Sequence, residues 1–329
     1  MKLNFWGTCG SIPAPINGAA VRNKIFRALQ LARGKNLESD AKILDFIDAE
    51  LPFEVAQTYG GNTSCVEVSV DGSEEVYILD AGSGLREYAE NYLSSGKAST
   101  KRVFHFFMSH LHWDHVQGFP FFTPAFLPGN RIIIYGIHPE IEQILEHQMQ
   151  PPWFPITTKA IKSQLEFRFH QPGDLINLNG ITVRTREQSH PGKSCGYRFE
   201  ADGRSFVYST DSEHDENAYR DDYDFVEFIQ DTDLLIFDAQ YNLHDATFNK
   251  ANWGHSSNIM GVELASRARV KHLVIFHHEP SNSDENLSEF LFSTRSYGDI
   301  FYSETDPNRN HACYPKKISL AFDGMKLEI

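Results

Sequence analysis

The stretch SHLHWDH, residues 109–115, directly follows an apolar run, VFHFFM at 103–108. His110 and His112 stand two apart at the end of a predicted strand, so both side chains point the same way. Asp114 and His115 come just after, where the chain turns. Three imidazoles and a carboxylate within six residues are expensive to bury unless a cation holds them, and neutral imidazole with carboxylate suits zinc or a similar transition metal. Leu111 and Trp113 interleave the polar residues, and FPFFTPAF follows at 119–126. That apolar setting argues against a solvated surface cluster.

Four further strands deliver a ligand-type residue at their C-terminal end. VYIL leads to Asp80, ITVRTREQ to His190, RSFVYST to Asp211 and HLVIF to His277. Loops at one edge of a sheet are where a rigid scaffold presents reactive groups. Seven ligands are too many for one tetrahedral ion, since zinc takes about four and a catalytic site leaves one position for water. Two ions fit better, with His110, His112 and His190 on the first, Asp114, His115 and His277 on the second, and Asp211 bridging them. Two such cations stabilise attacking and leaving oxygens together and generate hydroxide near neutral pH, which suits a phosphodiester. Manganese and iron accept the same mixed nitrogen and oxygen set as zinc.

The rest of the chain reads as an α/β (α+β) protein. Asp-Gly and Asn-Gly turns predict hairpins: Val66 to Val70 with Val76 to Leu79, Leu175 to Leu178 with Ile181 to Thr185, Tyr197 to Phe199 with Phe206 to Ser209, and Ile318 to Phe322 with Lys326 to Ile329. Buried strands are expected at Val103 to Met108, Arg131 to Tyr135, Leu234 to Phe237 and Leu273 to Phe276. The mix implies two sheets. Helical spacing brings Ile25, Phe26, Leu29 and Ala32 to one face, and Ile43, Leu44 and Ile47 follow Ser39, a suitable N-cap. Further helices are expected after Pro139 and after Ser256 or Ser257. We read residues 1–329 as a single domain, with a helical insertion at about 15–55 that covers a sheet edge or the substrate, and an irregular insertion at about 294–315.

The 329 residues carry 44 Asp plus Glu against 30 Lys plus Arg, a net charge of −14. Phosphate backbones reward clustered cations, so long nucleic acids are poor partners. No apolar window is long enough for a membrane span, the opening MKLNFWGTCGSIP lacks the core of a secretory signal, and the four cysteines are scattered singly. These features predict a cytoplasmic protein whose cysteines are small buried residues. His278 falls on the strand face opposite His277 and is not expected to ligate. His105 and His272 read as core or edge residues satisfied by backbone, and FPFF at 119–122 as packing beneath the histidine-rich loop.

SHLHWDH resembles the HxHxDH signature of the metallo-β-lactamase superfamily. ILDAG at 78–82, SHPG at 189–192, STD at 209–211 and FHHEP at 276–280 resemble its other motifs, in order. The resemblance covers roughly Met1 to Phe292 and the closing ISLAFDGMKLEI. It implies a four-layer αβ/βα sandwich of two mixed β-sheets flanked by helices, with a dinuclear metal centre, and Asp80 matches the family's Asp that orients the histidine loop. YGGNTSC at 59–65 and WGHSS at 253–257 look like the branch of ribonuclease Z and cyclic phosphodiesterases. Three departures count against ribonuclease Z activity: only 20 residues separate His190 from Asp211, leaving no room for a tRNA-binding arm; Phe237 falls where the branch's HEAT motif has its proton-donating His; and the net charge is acidic.

The expected activity is therefore a dinuclear metal-dependent hydrolase of small phosphodiesters, cyclic nucleotides among them. A metal-bridging hydroxide oriented by Asp114 attacks phosphorus, and Asp238 with His255 forms the proton relay to the departing oxygen; His244 is a less favoured substitute for the missing acid. Alternatives are a ribonuclease Z-like tRNA 3′ endonuclease, a lactone or thioester hydrolase, and a non-catalytic metal-binding sensor. The branch resemblance also implies association of two copies, through the helical insertion.

Overall fold

The structure, a computed structural model, describes residues 1–96, 100–250, 252–305 and 313–329. The first sheet contains β1 (Lys2–Gly7), β2 (Cys65–Ser69), β3 (Val76–Leu79), β4 (Val103–Phe107), β5 (Arg131–Gly136), β6 (Gln164–Phe169) and the final strand β14 (Lys326–Glu328), in the order β14-β1-β2-β3-β4-β5-β6. The second contains β7 (Leu175–Leu178), β8 (Ile181–Gln188), β9 (Ser194–Ala201), β10 (Arg204–Ser209), β11 (Leu234–Asp238), β12 (His272–Phe276) and β13 (Lys317–Leu320), in the order β13-β12-β11-β10-β9-β8-β7. Each sheet has three antiparallel pairings followed by three parallel ones.

Apolar residues occur on both faces of the central strands, so each sheet is buried twice. Tyr77, Leu79, Phe107 and Tyr135 of the first sheet meet Tyr197, Phe199, Phe206, Tyr208 and Phe276 of the second in a common inner core. The alternate residues Ile78, Phe104, Phe106 and Ile134 pack outward with residues of α4 (Gly84–Ser94) and α6 (Ile141–Gln148). On the other side Val207, Leu235, Phe237 and Ile275 pack with α7 (Asp224–Phe228), α8 (Asn258–Arg267) and α9 (Asp284–Thr305). The result is the expected four-layer αβ/βα sandwich, with two mixed sheets between helical layers. Phe119 and Phe122 lie against Phe104, Phe106 and Tyr88, beneath the histidine-rich loop.

Three expectations are corrected. The closing Asp323-Gly324 turn does not make a hairpin, because β13 pairs with β12 while β14 crosses to pair with β1. The turn is bound to the first sheet instead: Asp323 accepts hydrogen bonds from the backbone of Gly61 (3.0 Å) and Asn62 (2.9 Å) and from Thr8 Oγ1 (3.0 Å), and Gly324 N donates to Phe5 O at 2.7 Å. Thr294 to Thr305 is not irregular but continues α9, whose Leu287, Phe290, Leu291 and Tyr297 recur at helical spacing against the outer core; residues 306–312 of that expected insertion lie outside the described residues. Lastly, His105 and His272 are satisfied by side chains, Tyr135 OH at 3.2 Å and Ser319 Oγ at 2.9 Å, rather than by backbone.

The segment at 15–55 is helical, with α1 (Gly18–Leu31), α2 (Asp40–Ala49, capped by Ser39) and α3 (Phe53–Ala56). Its polarity is reversed relative to a core helix. Lys24 of α1 donates to the carbonyls of Glu54 and Gln57 and pairs with Asp284, and Arg27 pairs with Glu285 at 3.1 Å. Val21, Ile25, Phe26 and Leu29 consequently face outward. Cys9, Cys65 and Cys195 are buried and Cys313 is exposed, all as free thiols. Among the described residues no helix is long and apolar enough to cross a membrane.

Candidate metal centre

The strands deliver their polar residues to one rim of the sandwich. Asp80, Asp211 and His277 each adopt a left-handed backbone just beyond β3, β10 and β12, with φ of 57°, 50° and 62°. These bends turn the chain off the sheet, in a left-handed region that Asp and His enter more readily than most non-glycine residues. After β4 the chain bends at Ser109 and reaches His112, the N-cap of the single turn α5 (Trp113–Val116), and that turn presents Asp114 and His115 inward. Trp113, just before them, is exposed, and His112 keeps part of its side chain open to solvent.

Two groups of donors converge, and a third, formed by Asp211, His255 and His277, overlaps them. His110, His112, His190 and Asp211 each offer one ligand atom, all within 4.8 Å of one another, and so do Asp114, His115 and His277. Asp211 faces both groups with different oxygens. Its Oδ2 lies 3.6 Å from Nε2 of both His110 and His190, while its Oδ1 lies 3.2 Å from His115 Nε2 and 3.3 Å from His277 Nε2. The Nε2 atoms of His115 and His277 are themselves 3.3 Å apart. The seven residues singled out as metal ligands are therefore together.

Burial pushes the imidazoles of His110, His112 and His190 below their ordinary pKa, so they stand neutral, the form that ligates. For Asp114, burial opposes ionisation, but His115 and His277 outweigh it and hold the carboxyl well below the usual range. Burial likewise opposes charge on His115, yet Asp114, Asp211 and Asp80 raise its pKa.

Surrounding groups fix the donors. Asp80 Oδ1 accepts from Ser109 N at 2.7 Å, and its Oδ2 accepts from Ser109 Oγ (2.7 Å), Tyr208 OH (2.8 Å) and His115 Nδ1 (2.8 Å). His190 Nδ1 donates to Gly254 O at 2.8 Å; a Cβ on Gly254 would stand 2.2 Å from that nitrogen, and its φ of 87° also calls for glycine. His255 Nδ1 lies 2.9 Å from Asp238 Oδ2, and its ring stacks on His277 with centroids 5.1 Å apart. His255 is thereby brought to the centre, and Asp238 orients it. Phe237 instead packs in the outer core beside His214, with ring centroids 5.4 Å apart. His278, facing away as expected, bonds Ala321 O at 2.6 Å, and His244 is exposed. Two supports were not read from the sequence: Ser11 N donates to Asp114 Oδ2 at 2.8 Å, and Glu213 accepts from Asn252 N and Gly254 N, pinning the loop that carries His255. Ser11 lies in the GTCGSIP segment, whose glycines are the one visible sign of close backbone approach.

The Beta-lactamase superfamily domain matches residues 76–278, from the strand before Asp80 to the residue after His277. The chain belongs to the metallo-β-lactamase superfamily. As a member it is a hydrolase, and its His and Asp clusters can bind metal ions. It is similar to ribonuclease BN of Proteus mirabilis, with 26% identity over 69% of this chain and 88% of the relative. Among solved structures it resembles the metallo-β-lactamase fold protein YhfI of Bacillus subtilis (16% identity, TM-score 0.62, 99% of this chain and 98% of that one). Yeast PDE1 is equally similar in fold (15% identity, TM-score 0.62, 100% and 99%). The residues of this superfamily member fit a metal on their own evidence: His110 Nε2 is buried in the centre with no hydrogen-bond partner, and imidazoles and carboxylates converge as one mixed nitrogen and oxygen donor set.

Proposed function

We propose that the protein is a dinuclear metal phosphodiesterase acting on small substrates. The observation that carries this reading is the division of the Asp211 carboxylate, one oxygen toward His110 and His190 and the other toward His115 and His277. His110, His112 and His190 would hold one ion, Asp114, His115 and His277 the other, and Asp211 both; zinc is the first choice, with manganese or iron fitting the same donors. Two bound divalent ions supply Lewis acidity toward the phosphoryl oxygens and acidify water near neutral pH. Asp114, held by Ser11 N, is placed to orient the attacking water. His255 is placed to give a proton to the departing alkoxide, with Asp238 fixing its ring and supporting its charge. Burial opposes that charge, but Asp238, Asp211 and Asp114 raise the pKa of His255 to about 9.

The preference for small esters is supported between His190 and Asp211. Residues 191–210 are taken up by the β9–β10 hairpin and its tight turn at Asp202-Gly203, which leaves no protruding arm for tRNA. The Proteus relative, a ribonuclease BN, favours the tRNA endonuclease as the second reading. Turnover of a cyclic mononucleotide and of a tRNA precursor by the metal-loaded protein at physiological salt separates the two. Cleavage of the mononucleotide, abolished in Asp211→Ala, is expected; cleavage of tRNA alone would defeat the proposal. The outward apolar face of α1 supports pairing with a second copy, which sedimentation would test: a monomer at all concentrations rules it out.

A further inference from the structure

The imidazoles at the centre differ in what holds their outer nitrogens. Nδ1 of His115 lies 2.8 Å from Asp80 Oδ2, Nδ1 of His190 2.8 Å from Gly254 O, and Nδ1 of His110 3.1 Å from Ser109 Oγ. Nδ1 of His277 is equally buried but has no hydrogen-bond partner. Its Nε2 faces inward, 3.2 Å from Asp114 Oδ2 and 3.3 Å from Asp211 Oδ1. An imidazole that offers the Nε2 lone pair to a cation must carry its proton on Nδ1, and a buried N–H without an acceptor is unfavourable.

One buried acceptor nearby is also unpartnered. Gln240, two residues beyond β11, is 4% exposed; its Oε1 has no partner, while its Nε2 donates to Ser11 Oγ at 3.1 Å. Both side chains flank Gly10. A Cβ on Gly10 would stand 2.6 Å from His277 Nδ1 and 2.9 Å from Gln240 Nε2, so the carboxamide and the imidazole share the space a side chain would fill. As placed, neither end of the carboxamide is hydrogen-bonded to Nδ1; a half-turn that exchanges its oxygen and nitrogen, with a small shift of the side chain, brings the oxygen to that nitrogen. We propose that Gln240 is the positioning residue for His277, accepting the Nδ1 proton on its carboxamide oxygen and so fixing the tautomer and angle at which His277 presents Nε2.

This inference rests on the reading of Asp114, His115 and His277 as the ligands of one ion, and its test keeps the two apart. Zinc affinities of the full chain are measured by competition with a chromogenic chelator. Gln240→Leu is expected to weaken one of the two zinc ions by about 10- to 100-fold, the usual effect of losing an outer hydrogen bond to a ligating histidine, and to leave the other unchanged. Gln240→Glu, which keeps an acceptor oxygen, is expected to restore affinity to within about threefold. Ser11→Ala, which removes only the other partner of the carboxamide, should have no comparable effect. Nitrogen NMR of the zinc-loaded protein should show His277 protonated at Nδ1, with that proton exchanging faster in Gln240→Leu. Wild-type affinity for both ions in Gln240→Leu, or the same loss in Ser11→Ala, would overturn the role of Gln240. If Gln240→Leu does not fold, Gln240→Glu without tight binding of the second ion would do so as well. A His277→Ala protein that still holds two ions would instead overturn the ligand reading beneath it.

Discussion

The two sheets repeat one plan, three antiparallel pairings and then three parallel ones, and each has a left-handed aspartate at the turning point: Asp80 beyond β3 and Asp211 beyond β10. The same residue in the same topological place does different work. Asp80 is saturated by four hydrogen bonds from Ser109, Tyr208 and His115 and supports the loop. Asp211 receives one conventional hydrogen bond, from Thr210 Oγ1 at 2.6 Å, and spreads its oxygens between two groups of imidazoles. Position makes both available; the side chains each one meets decide which one supports and which one binds.

The sharpest way to break this comparison is to neutralise each aspartate in turn. Asp211→Asn should lower phosphodiester turnover at least ~10³-fold, about 4 kcal/mol, and bound metal should fall below one ion per chain by elemental analysis. A variant keeping both ions would show that Asp211 is not shared between them. His255→Ala should lower kcat by roughly 10²-fold on alkyl esters, the scale of a lost general acid, and little on p-nitrophenyl esters, whose leaving group needs no proton. Equal losses on both would remove His255 from the relay. Asp80→Asn should retain metal but cost about 2–3 kcal/mol in urea unfolding, because its buried donors lose charged acceptors; loss of metal with unchanged stability would exchange the two roles.

The smallest effect concerns the turn that joins the halves. Burial pushes the Asp323 carboxyl up to about 6, against hydrogen bonds from Asn62, Gly61 and Thr8. The folded chain therefore binds that proton more tightly than the unfolded chain, whose carboxyl titrates near 3.9. The resulting stability is fully present below about pH 4 and lost as pH rises through 6. The stability difference between wild type and Asp323→Asn should shrink by on the order of 1–3 kcal/mol from pH 4 to pH 7. A flat difference would mean that the carboxyl ionises as freely in the fold as in the unfolded chain.

Much of the site was legible because its chemistry is compressed into short motifs. His110, His112, Asp114 and His115 fall within six positions, and Asp80, His190, Asp211 and His277 each follow a strand pattern, which places them at one sheet edge. What was illegible depends on contacts between distant segments. Lys326 to Glu328 reads as the second arm of a hairpin, and only the capture of Asp323 by Gly61, Asn62 and Thr8 sends it to the other sheet. The spacing of Ile25, Phe26 and Leu29 reports a helix correctly but not which side faces inward, because the ion pairs of Lys24 and Arg27 with α9 decide that. Gln240 carries no local signal, since its meaning comes from Gly10 and His277, each far along the chain.

The left-handed bends at Asp80, Asp211 and His277 set the protein two incompatible selection pressures. Glycine would relieve the backbone at Asp211 or His277, so variants chosen for heat resistance alone should accumulate there and arrive inert, whereas at Asp80 the four lost hydrogen bonds outweigh the relief. Variants chosen for turnover would keep all three side chains and recover their stability elsewhere, away from that rim.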